Sequence, residues 1–194
     1  MKEIEAKVRL DDESIIVKAD LKKIKEVHVL DIYFDSPLLN FNSQDKVLRL
    51  RKENNDAYIT YKGPREKHDS LVIREEIEPK ISSFEDGLAI IKNIGFIEHA
   101  KAEKIRAYYS TQTYPSLSIT VDKYPFIGLF IEIEGDEAEV HLFLKEFNLR
   151  DTIQKNCSEL FLEHCKEHKI LFDKPEKHFT FEDEKYLRQN DSGH

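Results

Sequence analysis

The sequence predicts an α+β fold in which about eight β-strands, enough to close into a barrel, are accompanied by a few helices. Three observations predict it. Charged and apolar residues alternate with period 2 along segment after segment. Turn-forming residues separate those segments, and stretches with helical periodicity are few and short. The charged fraction is 35% against a usual ~25%, and much of the excess lies on the alternating segments.

Residues 1–10 set Glu3, Glu5, Lys7 and Arg9 on one face and Ile4, Ala6, Val8 and Leu10 on the other. Asp11 or Asp12 is placed to cap a short helix over 12–22, and a strand over 24–35 follows. Residues 47–51 oppose Arg49 and Arg51 to Leu48 and Leu50. Asn54-Asn55-Asp56 reads as a hairpin connection into 58–62, where Tyr58, Thr60 and Lys62 oppose Ile59 and Tyr61 before Gly63-Pro64 ends the strand. Residues 72–78 set Arg74 and Glu76 against Ile73 and Ile77, with Glu75 on the apolar side. Ser82 or Ser83 caps a helix over 84–94 with Gly95 as its stop. Three more strands follow: 102–108 with Lys104 and Arg106, 118–124 with Ser118, Thr120 and Asp122, and 129–134 with Glu132 and Glu134. The loop 124–128 separates the last two. Helices are expected over 136–147 and 156–168, the second burying Leu160, Phe161 and Leu162. Residues 170–194 are mixed, contain Pro175 and end in Ser192-Gly193-His194, which reads as a cloning remnant.

A chain of 194 residues suits one domain with trimmings, here divided into a barrel over 1–169 and an extension over 170–194. The formal charge of −8 argues against a nucleic-acid binder that relies on overall positive charge. No apolar run is long enough to span a membrane, and the first residues hold no secretory apolar core. Cys157 and Cys165 are too few for a disulfide scaffold and lack zinc spacing, so a reducing, cytoplasmic setting is expected. His164, Cys165 and His168 share a helix turn, which a polar helix face explains more simply than a metal.

Which strand face points inward decides the chemistry. With apolar faces inside, the molecule is a compact barrel with a charged coat, suited to an apolar ligand. With charged faces inside, it is a polar tunnel. The charged faces pair acids at i, i+2 (Glu3/Glu5, Glu132/Glu134) and bases likewise (Arg49/Arg51, Lys104/Arg106). Carboxylate pairs suit a hard divalent cation, and guanidinium pairs suit phosphate oxygens. Together they describe a polyphosphate site without a P-loop or a glycine-rich dinucleotide turn.

An ordered set of motifs then matches a family. Glu3-Ile4-Glu5-Ala6-Lys7 resembles an E-x-E-x-K opening. Asp31-Ile32-Tyr33-Phe34-Asp35, Leu48-Arg49-Leu50-Arg51, Tyr61-Lys62-Gly63-Pro64, Arg74-Glu75-Glu76, Lys104-Ile105-Arg106, Asp122 and Gly128–Glu134 follow in the expected order. The set resembles the CYTH superfamily of triphosphate tunnel metalloenzymes, nearest its class IV adenylyl cyclase-like branch. Asn156-Cys157-Ser158-Glu159-Leu160-Phe161 matches only half of that branch's S-Y-x-E-L-L ending, and the segment between Lys7 and Asp31 is short.

The resemblance implies an eight-stranded antiparallel β-tunnel with a charged interior and Mg²⁺ or Mn²⁺ on the acids. It implies a triphosphate (ATP, inorganic triphosphate or thiamine triphosphate) along the bases. Metal ligands are then expected at Glu3, Glu5, Asp122, Glu132 and Glu134, and substrate contacts at Lys7, Arg49, Arg51, Lys62, Arg74, Lys104 and Arg106. Lys7 has a second reading as a catalytic base if neighbouring cations lower its pKa. Glu76 is either a ligand or an arginine partner; Tyr33 and Tyr58 are read as packing. The expected activity is conversion of ATP to cyclic AMP and pyrophosphate. Triphosphate hydrolysis is the alternative, and a non-catalytic polyphosphate-binding module a third reading. No nucleic-acid or membrane partner is expected. Residues 170–194 are left three roles: plugging a tunnel mouth, pairing two subunits as a homodimer, or a disordered tail.

Overall fold

A computed structural model describes residues 2–170 and 177–191. Its elements in chain order are β1 (Lys2–Leu10), α1 (Ser14–Lys18), β2 (Lys22–Asp35), β3 (Val47–Glu53), β4 (Asp56–Lys62), β5 (Glu66–His68), β6 (Leu71–Ile77), β7 (Lys80–Ile81), α2 (Phe84–Asn93), β8 (Ile97–Ser110), β9 (Ser118–Tyr124), β10 (Gly128–Glu134), α3 (Glu137–Glu146), α4 (Cys157–Glu167), β11 (Lys177–Phe179) and α5 (Phe181–Asp191). Eight strands close into an antiparallel barrel in the order β6-β1-β10-β9-β8-β2-β3-β4, and a β4–β6 pairing completes the ring. The short strands β5, β7 and β11 lie outside that ring, β11 running parallel to β8.

Register settles which face is inside, because residues directly opposite in a ladder share a face. Around the ring Glu3 faces Arg74, Glu5 faces Glu134, Lys7 faces Glu132, and Asp122 faces Arg106. Asp31 faces Arg51, and Lys62 faces Glu76. All of these side chains except the deeply buried Asp31 and Asp122 line the interior, so the charged face points in and the charged-coat reading fails. The apolar faces point out and are covered. Helices α1 and α3 lay Ile15, Val140, Phe143 and Leu144 over Ala6, Val8, Ile119, Val121, Ile131 and Ile133. Helix α2 lays Ile91, Leu88 and Phe84 over Ile32, Phe34 and Leu50. Its approach needs Gly87, where a Cβ would stand 2.6 Å from Ile81 Cδ1 and 3.1 Å from Leu50 Cδ1. Burying such side chains is worth roughly 1.5–3 kcal/mol each, which holds a ring whose interior is polar.

Local chemistry sets the helix ends. Ser83 accepts from Asp86 N at 3.0 Å, Asp136 accepts from Ala138 N at 3.0 Å, and Asn156 and Glu159 form a reciprocal capping box on α4. Gly95, at φ +96°, stops the α2 segment as expected. The helix expected over 12–22 is confined to Ser14–Lys18: Asp12 accepts from Ser14 N at 2.8 Å at its start, and Lys22 already pairs with Ser110 in the long β2–β8 ladder. Leu162 is only half-buried, since a helix of 3.6 residues per turn cannot turn three successive residues inward, whereas Leu160 and Phe161 are buried.

One end of the barrel is packed with apolar side chains. Leu160, Phe161 and Cys157 of α4 pack against the inward-facing Phe130, Tyr124 and Ala102. Phe179 of β11 is buried and stacks on Phe161 with ring centroids 4.7 Å apart. The described part of the 170–194 extension thus joins the sheet and the apolar cluster around Phe130, while 171–176 and Ser192-Gly193-His194 lie outside the described residues. No helix among the described residues is long and apolar enough to cross a membrane.

Candidate active site in the barrel interior

The barrel encloses a cavity of about 470 Å³ lined by residues of all eight of its core strands and by the start of α4. Every sequence-predicted site residue except Asp122 lines it. Charges inside are held in three groups.

The first group is basic and surrounds Asp122. Asp122 has no exposed surface. Its carboxylate accepts from Lys104 Nζ at 2.7 Å and from Arg106 Nε at 2.7 Å and Nη2 at 2.6 Å. Arg106 also pairs with Glu132, and Lys104 Nζ lies 3.1 Å from the Tyr124 hydroxyl. Burial would raise the Asp122 pKa, yet Arg106 and Lys104 hold it below the usual carboxylate range. The structure therefore sets Asp122 apart from the four glutamates expected to share a metal with it: behind the cavity wall, with its oxygens committed to two cations. Burial, followed by the charge of Arg106, lowers the Lys104 pKa.

A second group orders the Arg49/Arg51 pair. Arg51 makes a two-pronged contact with Asp31, Nε to Oδ1 at 2.7 Å and Nη2 to Oδ2 at 2.9 Å. Arg49 reaches Glu78 at 2.6 Å and Thr60 at 3.1 Å. Asp31 is buried; burial opposes its charge, but Arg51 and Arg49 prevail and hold its pKa well below the ordinary value.

The acidic group lies toward the other end. Lys62 Nζ sits between Glu3 at 2.9 Å and Glu76 at 2.7 Å. Burial, then a hydrogen bond with Glu76, pushes the Glu3 pKa up to about 9. Lys7 lies 3.0 Å from Glu132 and 3.5 Å from Glu5. Burial works against the ammonium, but Glu132 and Glu5 prevail and raise its pKa. Glu134 makes no hydrogen bond or ion pair among the described residues. Burial, then the charge of Glu5 opposite, raises its pKa.

The acidic end fits a divalent cation by charge and donor type. Glu5 and Glu134 are hard oxygen donors set opposite each other, and their repulsion is visible in the raised Glu134 pKa. The coordination shell is not assembled: among the described residues no group of three or more His, Cys, Asp or Glu is placed to hold a metal, the helical His164, Cys165 and His168 included. Glu3, Glu5 and Glu132 are engaged by Lys62 and Lys7 instead.

Arg74 differs from the other predicted anion contacts. Its guanidinium donates to the Gly63 carbonyl at 2.9 Å and to the Asp45 carbonyl at 3.2 Å, so it ties strand β6 to two loops. Sequence reasoning missed three interior residues. Glu78 and Glu53 hold Arg49 and Tyr108, and Arg65 joins Asp45 to Glu159. For Glu78, the signal was the continuing alternation after Arg74 and Glu76. Arg65 lies in a loop and meets partners 20 and 94 residues away, which no local pattern reveals.

The CYTH domain profile matches residues 1–164. A Methanocaldococcus jannaschii protein described as a candidate adenylate cyclase is 35% identical over 145 residues, 73% of this chain and 81% of its own length. The PH1819 protein of Pyrococcus horikoshii OT3 has a similar structure with TM-score 0.70 at 28% identity, covering 83% of this chain and 98% of that one. A Hippeastrum protein described as a candidate adenylyl cyclase with a dominant triphosphatase activity shares the fold at TM-score 0.67 and 19% identity, covering 83% of this chain and 95% of that one.

Proposed function

The chain belongs to the CYTH family, and from that premise we propose that it is a divalent-metal-dependent enzyme acting on a triphosphate inside the barrel. The observation that carries the reading is the interior itself. A ring of buried and half-buried cations (Lys7, Arg49, Arg51, Lys62, Lys104 and Arg106) faces a pair of opposed glutamates in one cavity. A pure anion-binding module would do better without the acids.

Glu5 and Glu134, with Glu132 and Glu3 beside them, would hold Mg²⁺ or Mn²⁺. When bound, the ion supplies neutralisation of phosphate oxygens. The chain's own residues do the rest. Lys7, Lys62 and Arg106 line the cavity paired with Glu5, Glu132, Glu3 and Glu76, and a phosphate can take the place of these carboxylates. Arg49 and Arg51, aimed by Glu78 and Asp31, clamp the next phosphate along. Asp122 positions Lys104 and Arg106 and acts as no metal ligand. The raised pKa of Lys7 favours holding phosphate over acting as a base. Arg74 shapes the wall through the Gly63 carbonyl.

Two chemistries use this arrangement. In a cyclase the ribose 3′-oxygen attacks the α-phosphorus and pyrophosphate leaves. In a triphosphatase water attacks the terminal phosphorus. The name of the M. jannaschii relative favours the first. The lining favours the second, because the interior tyrosines are engaged: the Tyr124 ring packs edge-on to Phe130, and Lys25 lies 4.2 Å over the Tyr108 ring. Phosphorus NMR of products from ATP and from inorganic triphosphate, with Mg²⁺ or Mn²⁺ and with Glu5→Gln as control, tests the reading. Cyclic AMP with pyrophosphate establishes the cyclase, and orthophosphate without cyclic product the hydrolase. Silence on both substrates overturns the enzymatic reading for them.

A further inference from the structure

Helix α4 begins at the cavity edge. Asn156 and Cys157 line the cavity, and Cys157 Sγ lies 3.5 Å from the hydroxyl of the inward-facing Tyr33. The segment before the helix is stitched to β1, with Ile153 N donating to the Lys7 carbonyl at 2.7 Å and Thr152 bridging Val8. This stretch takes over the flank of β1 beyond Glu5, where the β1–β6 pairing ends.

One side chain fastens the start of the helix. Arg65 Nη1 and Nη2 meet the two oxygens of Glu159 at 2.8 and 3.1 Å, and Nη1 also meets the Gln154 carbonyl at 2.9 Å. Its Nε and its backbone N meet Asp45 at 2.9 Å. Arg65 therefore ties three segments together at the cavity edge: the loop before β3, the loop after β4 and the first turn of α4. Glu159 serves twice, since it also accepts from Asn156 N at 2.7 Å as half of the capping box.

We propose that Arg65 is a positioning residue that pins α4 through Glu159, makes the barrel blind at that end, and so limits the length of the phosphate chain the cavity admits. The inference rests on the triphosphate reading for its ligand but not for its mechanics. A barrel blind at one end accepts a short chain from the open mouth and has no exit for a long one. With the pin broken, α4 keeps its cap and its apolar contacts to Phe130 but loses its tie to the two loops, so its first turn lifts and a longer chain can thread.

Glu159→Gln separates the pin from the cap, because glutamine serves the capping box as well as glutamate but cannot pair with Arg65 as an anion. The experiment uses the full chain with Cys165→Ser, which leaves Cys157 as the single thiol reporter at the blind end. Its rate of modification by a small thiol reagent is measured alone, with inorganic triphosphate, and with linear polyphosphate of several tens of units. In the Glu159→Gln and Arg65→Gln variants the unliganded rate is expected to rise about tenfold or more, as local opening of a half-exposed pin implies. Triphosphate is expected to protect Cys157 in the parent and polyphosphate only in the variants. An unchanged unliganded rate in both variants, with melting temperatures near the parent's, overturns the pin. Equal polyphosphate protection in parent and variants overturns the length limit. Failure of triphosphate to protect any form counts against the triphosphate reading, and the unliganded rates still decide the pin.

Discussion

Asp122 offers the sharpest separation between a metal ligand and a charge partner. Asp122→Asn keeps the shape of the side chain and removes the acid that pairs with Lys104, itself 3% exposed, along with the main partner of Arg106. Breaking a buried ion pair by removing one partner costs about 3–5 kcal/mol, because the remaining charge is buried without compensation. That is a large fraction of the ~5–15 kcal/mol by which a domain is stable, so the variant should fold but melt early. For a chain of this size the loss corresponds to a fall in Tm of roughly 6–20 °C. Circular dichroism melts give the value. Triphosphate should then stabilise the variant more than the parent, because its oxygens supply the partner that Lys104 and Arg106 lack; at a hundredfold excess over Kd, binding restores about 2.7 kcal/mol. Mn²⁺ should raise Tm equally in both forms. A loss below about 1 kcal/mol would refute the argument from burial. A Mn²⁺ response present in the parent and absent in the variant would make Asp122 a ligand and refute its assignment as a charge partner.

Three further outcomes follow from the same structure. Asp31 has its folded pKa held below the ordinary 3.8, so its contribution to stability is present above that value and lost as pH falls through the folded one; acid melts should steepen below about pH 4 in the parent, and Asp31→Asn should melt lower at pH 7 with a flatter acid limb. Glu3 runs the opposite way. Its pKa is raised from 4.5 to about 9, so the stability it confers is present below 4.5 and lost as pH rises through 9; in a chelating buffer Glu3→Gln, which can still donate to Glu76, should gain Tm relative to the parent between those limits. Phe130, fully buried between Tyr124, Arg9 and α4, should cost about 3–5 kcal/mol on truncation to alanine, read from urea unfolding.

Much of this molecule was legible in its residues. Strand 118–124 lies where the alternation puts it, and Ser83, Asp136 and Asn156 begin helices as their side chains suggest. The inward face was foreshadowed by same-sign pairs at i, i+2, since Glu132/Glu134 and Arg49/Arg51 would repel along a solvated face with no reason to be there. What one strand cannot disclose is its register. Asp31 reads as a motif position until β2 and β3 pair and set it opposite Arg51. Asp122 shares its strand face with Thr120 and has the right chemistry for a metal, and its depth behind the wall, between Lys104 and Arg106, is what the strand alone does not show. Arg65 illustrates a third limit, because the loops and helix that it joins meet only in the closed barrel.

The central claim is that opposed glutamates and the cation ring form one metal-assisted triphosphate site. Isothermal titration of inorganic triphosphate into the parent and into Glu134→Gln, each with and without Mn²⁺, tests it most directly. The account predicts binding by the parent that Mn²⁺ strengthens by about tenfold or more, and binding by Glu134→Gln that persists without the metal and gains little from it. No binding by the parent, or an equal gain from Mn²⁺ in both proteins, would contradict it.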